Sequence, residues 1–473
     1  MLFNSFHFIF IFIPIVFSIY FILVILRWKT FSLLWLVIAS LAFYGWDQPS
    51  RLPLLLYSII FNYLIGFFLI KKRNIWLLIF GIFVNIIILI YFKYSDFILE
   101  SIHYLFDMTY ENKNLPLPIG ISFFTFTQIA FLVDAWGNQV RDYNPVRYGL
   151  FVTFFPHLVA GPILHHKNIM AQFTSVNFSN LPLKNISLGL TWFGIGLFKK
   201  TFLADGIANY VGPTFSAAAT GTIPGFIDAW IATLSFTLQI YYDFSGYSDM
   251  ACGLAFMLGI VIPLNFNSPY KATSLIDFWR RWHISLSNFL RDYLYIPLGG
   301  NRKGVYRHYL NLLITMVLGG LWHGASWNFV IWGFIHGIGI LVNHVWRSVT
   351  RFSIIKLPVS ISWFITLFII VVSWVPFRAD GFSTSVLIWK GMMGFGPEPN
   401  HFALEPVIYI LVLSCIAIFF PNTQQILLSS SNKFNLISWS PNLLWGIFSG
   451  FIFGLGIAAI TFYPNSEFLY FRF

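Results

Sequence analysis

Twelve apolar runs separated by short polar stretches organise the chain, near residues 5–26, 31–45, 53–70, 75–92, 117–133, 186–198, 226–242, 308–322, 326–342, 359–376, 405–420 and 443–462. Most approach the ~20 residues that cross a bilayer as helix. The pattern predicts an all-α integral membrane protein with about eleven or twelve transmembrane helices, plus shorter re-entrant and interfacial pieces. The first run, SFHFIFIFIPIVFSIYFILVIL, has no basic residue ahead of it and no small-residue cleavage site behind it, so it reads as a retained helix rather than a signal peptide.

Polar residues concentrate in one stretch, residues 241–304. Within it Phe278, Trp282, Leu286, Phe289 and Tyr293 recur at helical spacing, while Asp277, Arg281, Ser285, Asn288 and Asp292 fall on the opposite side. That predicts an amphipathic helix at the membrane–water boundary. Pro297 and the Gly299–Gly300 pair end it.

Composition agrees with the runs: of 473 residues, 58% are hydrophobic and 10% charged, well below the charged share of soluble domains. Nothing reads as a soluble domain, linker or internal repeat, so residues 1–473 are taken as one polytopic membrane domain. The net charge of +11 is read through its positions, because Lys and Arg mark cytoplasmic loops. Arg27, Lys29, Lys71, Lys72, Arg73, Arg141 and Arg147 share a side with the basic stretch from Lys271 to Arg307, as do Lys199 and Lys200 if residues 148–163 cross once. That side is expected to be cytoplasmic, with the N-terminus outside. The two cysteines, Cys252 and Cys415, exclude a cysteine-based metal site or disulfide framework.

Few residues carry candidate chemistry. His323, in GGLWHGASWNF, is an imidazole deep in apolar sequence, expected to stay neutral because burial disfavours its charged form. A neutral imidazole can take a proton from a hydroxyl, and it can equally be a packed, hydrogen-bonded residue. Trp322 and Asn328 stand close to it in sequence. His283 lies at the edge of the apolar stripe. Arg280, Arg281 and Arg291 are either topological markers or a fork-shaped grip for the phosphates of an acyl donor. Asp243 and Asp249 abut apolar runs, where a carboxylate faces a cavity, a partner or unwound backbone. His336 lies in a small-residue setting that reads as helix packing. His157, His165 and His166 read as loop or re-entrant positions. There is no G-x-S-x-G elbow, H-E-x-x-H, Walker loop or dinucleotide fingerprint. No metal site, bound cofactor or nucleic-acid partner is expected.

Together DFWRRWHISLSNFLRDYLYIPLGGNR and GGLWHGASWNFVIWGFIHG closely resemble the membrane-bound O-acyltransferase (MBOAT) family, in its bacterial alginate O-acetylase branch. LVAGPILHHKNIMAQF and YYDFSGYSDMACGL resemble it in the same order, and the resemblance is concentrated in residues 115–345. It implies a multi-helix cup around a tunnel through the bacterial inner membrane, with His323 as the catalytic residue and His283 assisting. It further implies acetyl-CoA as acyl-donor substrate, an extracytoplasmic SGNH-type partner protein and a polysaccharide acceptor. D-alanyl or peptidoglycan acyl transfer on the same fold is the near alternative. From other classes, a transporter using Asp243, Asp249 and His323 as a path, or a non-catalytic scaffold, stays open.

Overall fold

The computed structural model describes all residues except 111–114, 141–142, 176–182, 351–356, 398–402, 429–437, 464–467 and 470–473, so Arg141 lies outside the described residues. Among the described residues the regular elements are all helices. Six are long and apolar enough to cross a membrane: Phe8–Ile25, Pro49–Lys71, Ile75–Leu105, Trp327–Thr350, Val359–Arg378 and Leu443–Phe462. Shorter apolar helices are Lys29–Gly45, Ile121–Trp136 and Leu404–Phe419. Their outer faces keep large apolar side chains exposed, among them Trp76, Phe83, Phe364 and Leu443. Helices apolar on every side belong in lipid.

The chain divides into two compact units, one of residues 1–194 and 247–263, the other of residues 195–246 and 264–473. In the first, Leu52–Lys71, Ile75–Leu89 and Ile121–Trp136 pack on one another. Several polar groups they bury are paired with one another. Asn85 Nδ2 donates to Asn62 Oδ1 at 2.7 Å, Asn62 Nδ2 donates back at 3.2 Å, and Gln128 Nε2 donates to Ser58 Oγ at 3.0 Å. Such bonds hold helices together where apolar contact with a neighbour gains little over contact with lipid.

The second unit is built around a helical hairpin, Val305–His323 followed by Trp327–Thr350. Its closeness depends on glycine. A Cβ at Gly320 would fall 2.2 Å from the Phe329 carbonyl oxygen, and one at Gly333 would fall 2.4 Å from that of Met316. Only a residue without a side chain lets the two backbones approach so far.

Two sequence expectations change. Residues 148–163 do not form one crossing helix: Pro145–Thr153 ends at Phe154 and a four-residue turn, Phe155–Leu158, follows. Nine residues at 1.5 Å each span about 14 Å, less than half the hydrocarbon core. The placement of Lys199 and Lys200 by a crossing there loses its basis. The amphipathic helix over residues 277–293 is also interrupted. Leu275–Trp279 and Ile284–Leu290 are separate helices, followed by a wider turn, Arg291–Tyr295. The apolar stripe is inside the protein rather than at its edge, since Phe278, Trp282 and Leu286 are fully buried.

Candidate active site

Both candidate histidines sit at helix ends, where a side chain can be aimed independently of helical periodicity. His323 is the last residue of Val305–His323, and Gly324 continues in extended conformation. His283 immediately precedes Ile284–Leu290 and adopts a left-handed backbone, φ 42° and ψ 54°. Non-glycine residues hold that conformation only when their surroundings impose it, commonly at functional sites. Asn265 imposes it here: its carbonyl accepts from Ile284 N at 3.0 Å, and its Oδ1 accepts from Ser285 N at 3.2 Å and Ser285 Oγ at 2.6 Å.

Through these two ends the imidazoles come to 6.4 Å between ring centroids. His283 is 0% and His323 3% exposed, so both are shielded from bulk solvent. The walls are aromatic. Trp332 meets His323 edge-on at 5.1 Å, Phe377 lies 5.2 Å from it and Trp322 4.9 Å. Phe244 stands edge-on to His283 at 4.7 Å. Such walls exclude water and strengthen any charge interaction that forms inside.

His336 backs this wall. Trp279 Nε1 donates to its Nδ1 at 3.3 Å. Ser373 Oγ gives its own proton to the Ile370 carbonyl, so the 3.0 Å contact between Ser373 Oγ and His336 Nε2 has the imidazole as donor. With both nitrogens bonded in one neutral tautomer, His336 lies tilted against Trp332, 4.7 Å between ring centroids, and helps fix that indole. This is the packing role its small-residue setting suggested.

The remaining candidates have separate duties. Asn328 Nδ2 donates to the Ala379 carbonyl at 2.8 Å, while its buried Oδ1 has no hydrogen-bond partner among the described residues. Trp322 lines the space between the two histidines, 6.1 Å from His283. Asp243 is a structural anion: its Oδ1 pairs with Lys200 Nζ at 2.7 Å, and its Oδ2 accepts from Leu469 N at 3.0 Å. Lys200 also pairs with Asp205 at 2.7 Å, so it is buried in an ion cluster rather than marking a loop. Asp249 belongs to the first unit and accepts from Trp192 Nε1 at 3.0 Å. Both carboxylates are therefore engaged as internal fastenings.

Among the arginines, Arg281 Nε bonds both carboxylate oxygens of Asp277 at 3.0 Å. Arg291 is paired fork-to-fork with Asp292 at 2.7 and 3.0 Å. Arg280 is exposed and has no acidic partner among the described residues. Of the three, it alone has no carboxylate partner among the described residues. Asn265, Phe244, Trp332 and Phe377 carry no local sequence signal, because their roles depend on contacts made across long chain separations. No group of His, Cys, Asp and Glu among the described residues could hold a metal ion.

With this geometry established, comparison with known proteins is specific. The profile of the membrane-bound O-acyltransferase family matches residues 121–377, which contain both histidines, the arginines at 280, 281 and 291, and Asn328. A peptidoglycan O-acetyltransferase of Helicobacter pylori is 42% identical over 437 residues, covering 86% of this chain and 82% of that protein. A Pseudomonas aeruginosa protein named "Probable alginate O-acetylase AlgI" is 38% identical over 407 residues, covering 84% and 75%. A teichoic acid D-alanyltransferase of Bacillus subtilis is 27% identical over 239 residues, covering 48% and 58%. The chain belongs to the membrane-bound O-acyltransferase family. It is a multi-pass membrane enzyme that transfers an acyl group to a hydroxyl.

Proposed function

We propose that this protein O-acetylates an exported polysaccharide from the bacterial inner membrane, drawing the acetyl group from cytoplasmic acetyl-CoA. The convergence of His283 and His323 in a buried aromatic chamber carries the reading. The names of the relatives support the acyl group and acceptor class, since those that align over most of this chain are O-acetyl enzymes of peptidoglycan or alginate. The D-alanyl relatives align over about half of it.

In this account Arg280 receives the donor's phosphates, and the thioester enters the chamber between Trp322, Trp332 and Phe377. Neutral His323 takes the proton of an acceptor hydroxyl as its oxygen attacks the thioester carbonyl. A C–O bond forms, the C–S bond breaks, and the departing thiolate takes the proton back. His283 orients donor or acceptor across the 6.4 Å gap. Trp322 and the buried Oδ1 of Asn328 complete the polar contacts. The accepting hydroxyl is that of the polymer, or of an SGNH-type extracytoplasmic protein that completes delivery.

The test is reconstitution of the purified protein in liposomes with radiolabelled acetyl-CoA and a panel of acceptors, peptidoglycan fragments and alginate among them. Release of free CoA with label in an acceptor is the expected result. Hydrolysis and transfer both absent with acetyl-CoA, but present with a D-alanyl thioester, would replace acetyl by D-alanyl.

A further inference from the structure

Trp282, Trp332 and Trp374 are fully buried, and none of their indole N–H groups has a hydrogen-bond partner among the described residues. Buried donors are nearly always paired, so three of them together call for a physical reason. They form one cluster. Trp332 and Trp374 stack at 5.8 Å between ring centroids, and Trp282 lies tilted against Trp374 at 5.1 Å. Each comes from a different segment: Trp282 from the break between Leu275–Trp279 and Ile284–Leu290, Trp332 from Trp327–Thr350, and Trp374 from Val359–Arg378.

Of these indoles, Trp332 is the one in ring contact with His323, at 5.1 Å. Its position is over-determined. His336 at 4.7 Å, Phe377 at 5.1 Å, Trp279 at 5.7 Å and Trp374 at 5.8 Å also contact the ring. A donor packed this tightly is aligned before charge develops beside it, and a dry aromatic chamber screens its dipole little. Indole is also neutral, so it can sit at such depth without a counter-ion, as an ammonium or guanidinium could not.

We propose that Trp332 Nε1–H donates the hydrogen bond that stabilises the oxyanion of the acyl transfer, which makes Trp332 a catalytic residue beside His323. The assignment rests on the thioester reading given above, and it needs the thioester carbonyl but not the identity of the acyl group. As the acceptor oxygen bonds to the thioester carbon, its proton goes to His323 and the carbonyl π pair moves onto oxygen, the atom to which Trp332 donates. When that pair re-forms the C=O bond, the C–S bond breaks and the thiolate takes the proton from His323. The indole keeps its own proton throughout.

Trp332→Phe and Trp374→Phe each remove one indole N–H from the cluster, and only the first removes the one beside His323. The experiment measures acyl transfer by the full chain in liposomes over a range of acetyl-CoA concentrations, per folded molecule. Trp332→Phe should lower kcat by about 10²-fold and leave the KM for acetyl-CoA nearly unchanged, because the oxyanion exists only beyond the ground state. Trp374→Phe should keep kcat near wild type. Replacing Trp332 with benzothienylalanine, which has the shape of tryptophan with sulfur in place of the N–H, should give the same low kcat at an unchanged melting temperature. That protein decides if Trp332→Phe fails to fold. Equal losses of kcat in the two Phe variants, or a benzothienyl protein with near wild-type kcat, would overturn the proposal. If the unsubstituted protein transfers D-alanyl and not acetyl, the acetyl reading fails, and the same comparison with the D-alanyl thioester decides Trp332.

Discussion

His283 and His323 face one another at 6.4 Å although they end different elements, one in a left-handed turn before a short helix and the other at the close of a long one. The turn and the imidazole at position 283 can be tested separately. His283→Asn keeps a residue that tolerates the left-handed backbone, so folded protein in the membrane should stay near wild type. Transfer per folded molecule should fall, but by less than for substitution of His323. Detergent melting curves and acetyl transfer on the same preparations check this, and a variant that lost only stability would reduce His283 to a structural residue.

Arg280 and Arg281 are neighbours in sequence with different surroundings, one exposed and the other bonded to Asp277. Arg280→Gln is expected to raise the KM for acetyl-CoA by about tenfold, the loss of one charge-assisted contact, with kcat little changed. Arg281→Gln should act mainly on abundance, because it leaves Asp277 without its partner. Equal effects on KM from both would show that the phosphates meet the pair rather than Arg280.

Asp243 gives a prediction about stability. Lys200 and Asp243 have side chains 2% and 1% exposed, and the one ammonium serves both Asp243 and Asp205, so removing Lys200 takes the counter-charge from two buried carboxylates. Lys200→Met should destabilise by roughly 3–5 kcal/mol, whereas Asp243→Ala should cost less, because it strips the Leu469 amide of its acceptor but leaves Lys200 paired with Asp205. Lys200→Met with both Asp205→Leu and Asp243→Leu should recover part of that, since apolar residues can replace a buried ion cluster. Thermal unfolding compares the variants, and a triple variant no more stable than Lys200→Met would contradict the assignment.

Much of the helical architecture was legible because lipid admits few backbone solutions, and apolar length then marks the helices. The segments that build the chamber were less so. Phe278, Trp282, Leu286 and Phe289 of the stripe are buried, but so is Ser285 of the opposite face, and periodicity could not reveal the break, which comes from Asn265 capping the turn at His283. Nor could local sequence show that Lys200 lies inside: a basic residue after an apolar run ordinarily stays in water, and only the fold brings Asp205 and Asp243 to it. His323 was visible because an ionisable group stands out in apolar sequence. Its walls, Trp332 and Phe377, were not, because aromatic residues are everywhere in this chain.

The proposed reaction turns on His323 taking the acceptor's proton. His323→Gln retains much of the side chain's shape and hydrogen bonding but cannot accept a proton at neutral pH. The decisive measurement is the rate of label transfer from radiolabelled acetyl-CoA to acceptor by the His323→Gln protein in liposomes, normalised to folded, inserted protein. Insertion should be unchanged and the rate lowered by about 10²-fold or more. A near wild-type rate would contradict it and move the proton to another group.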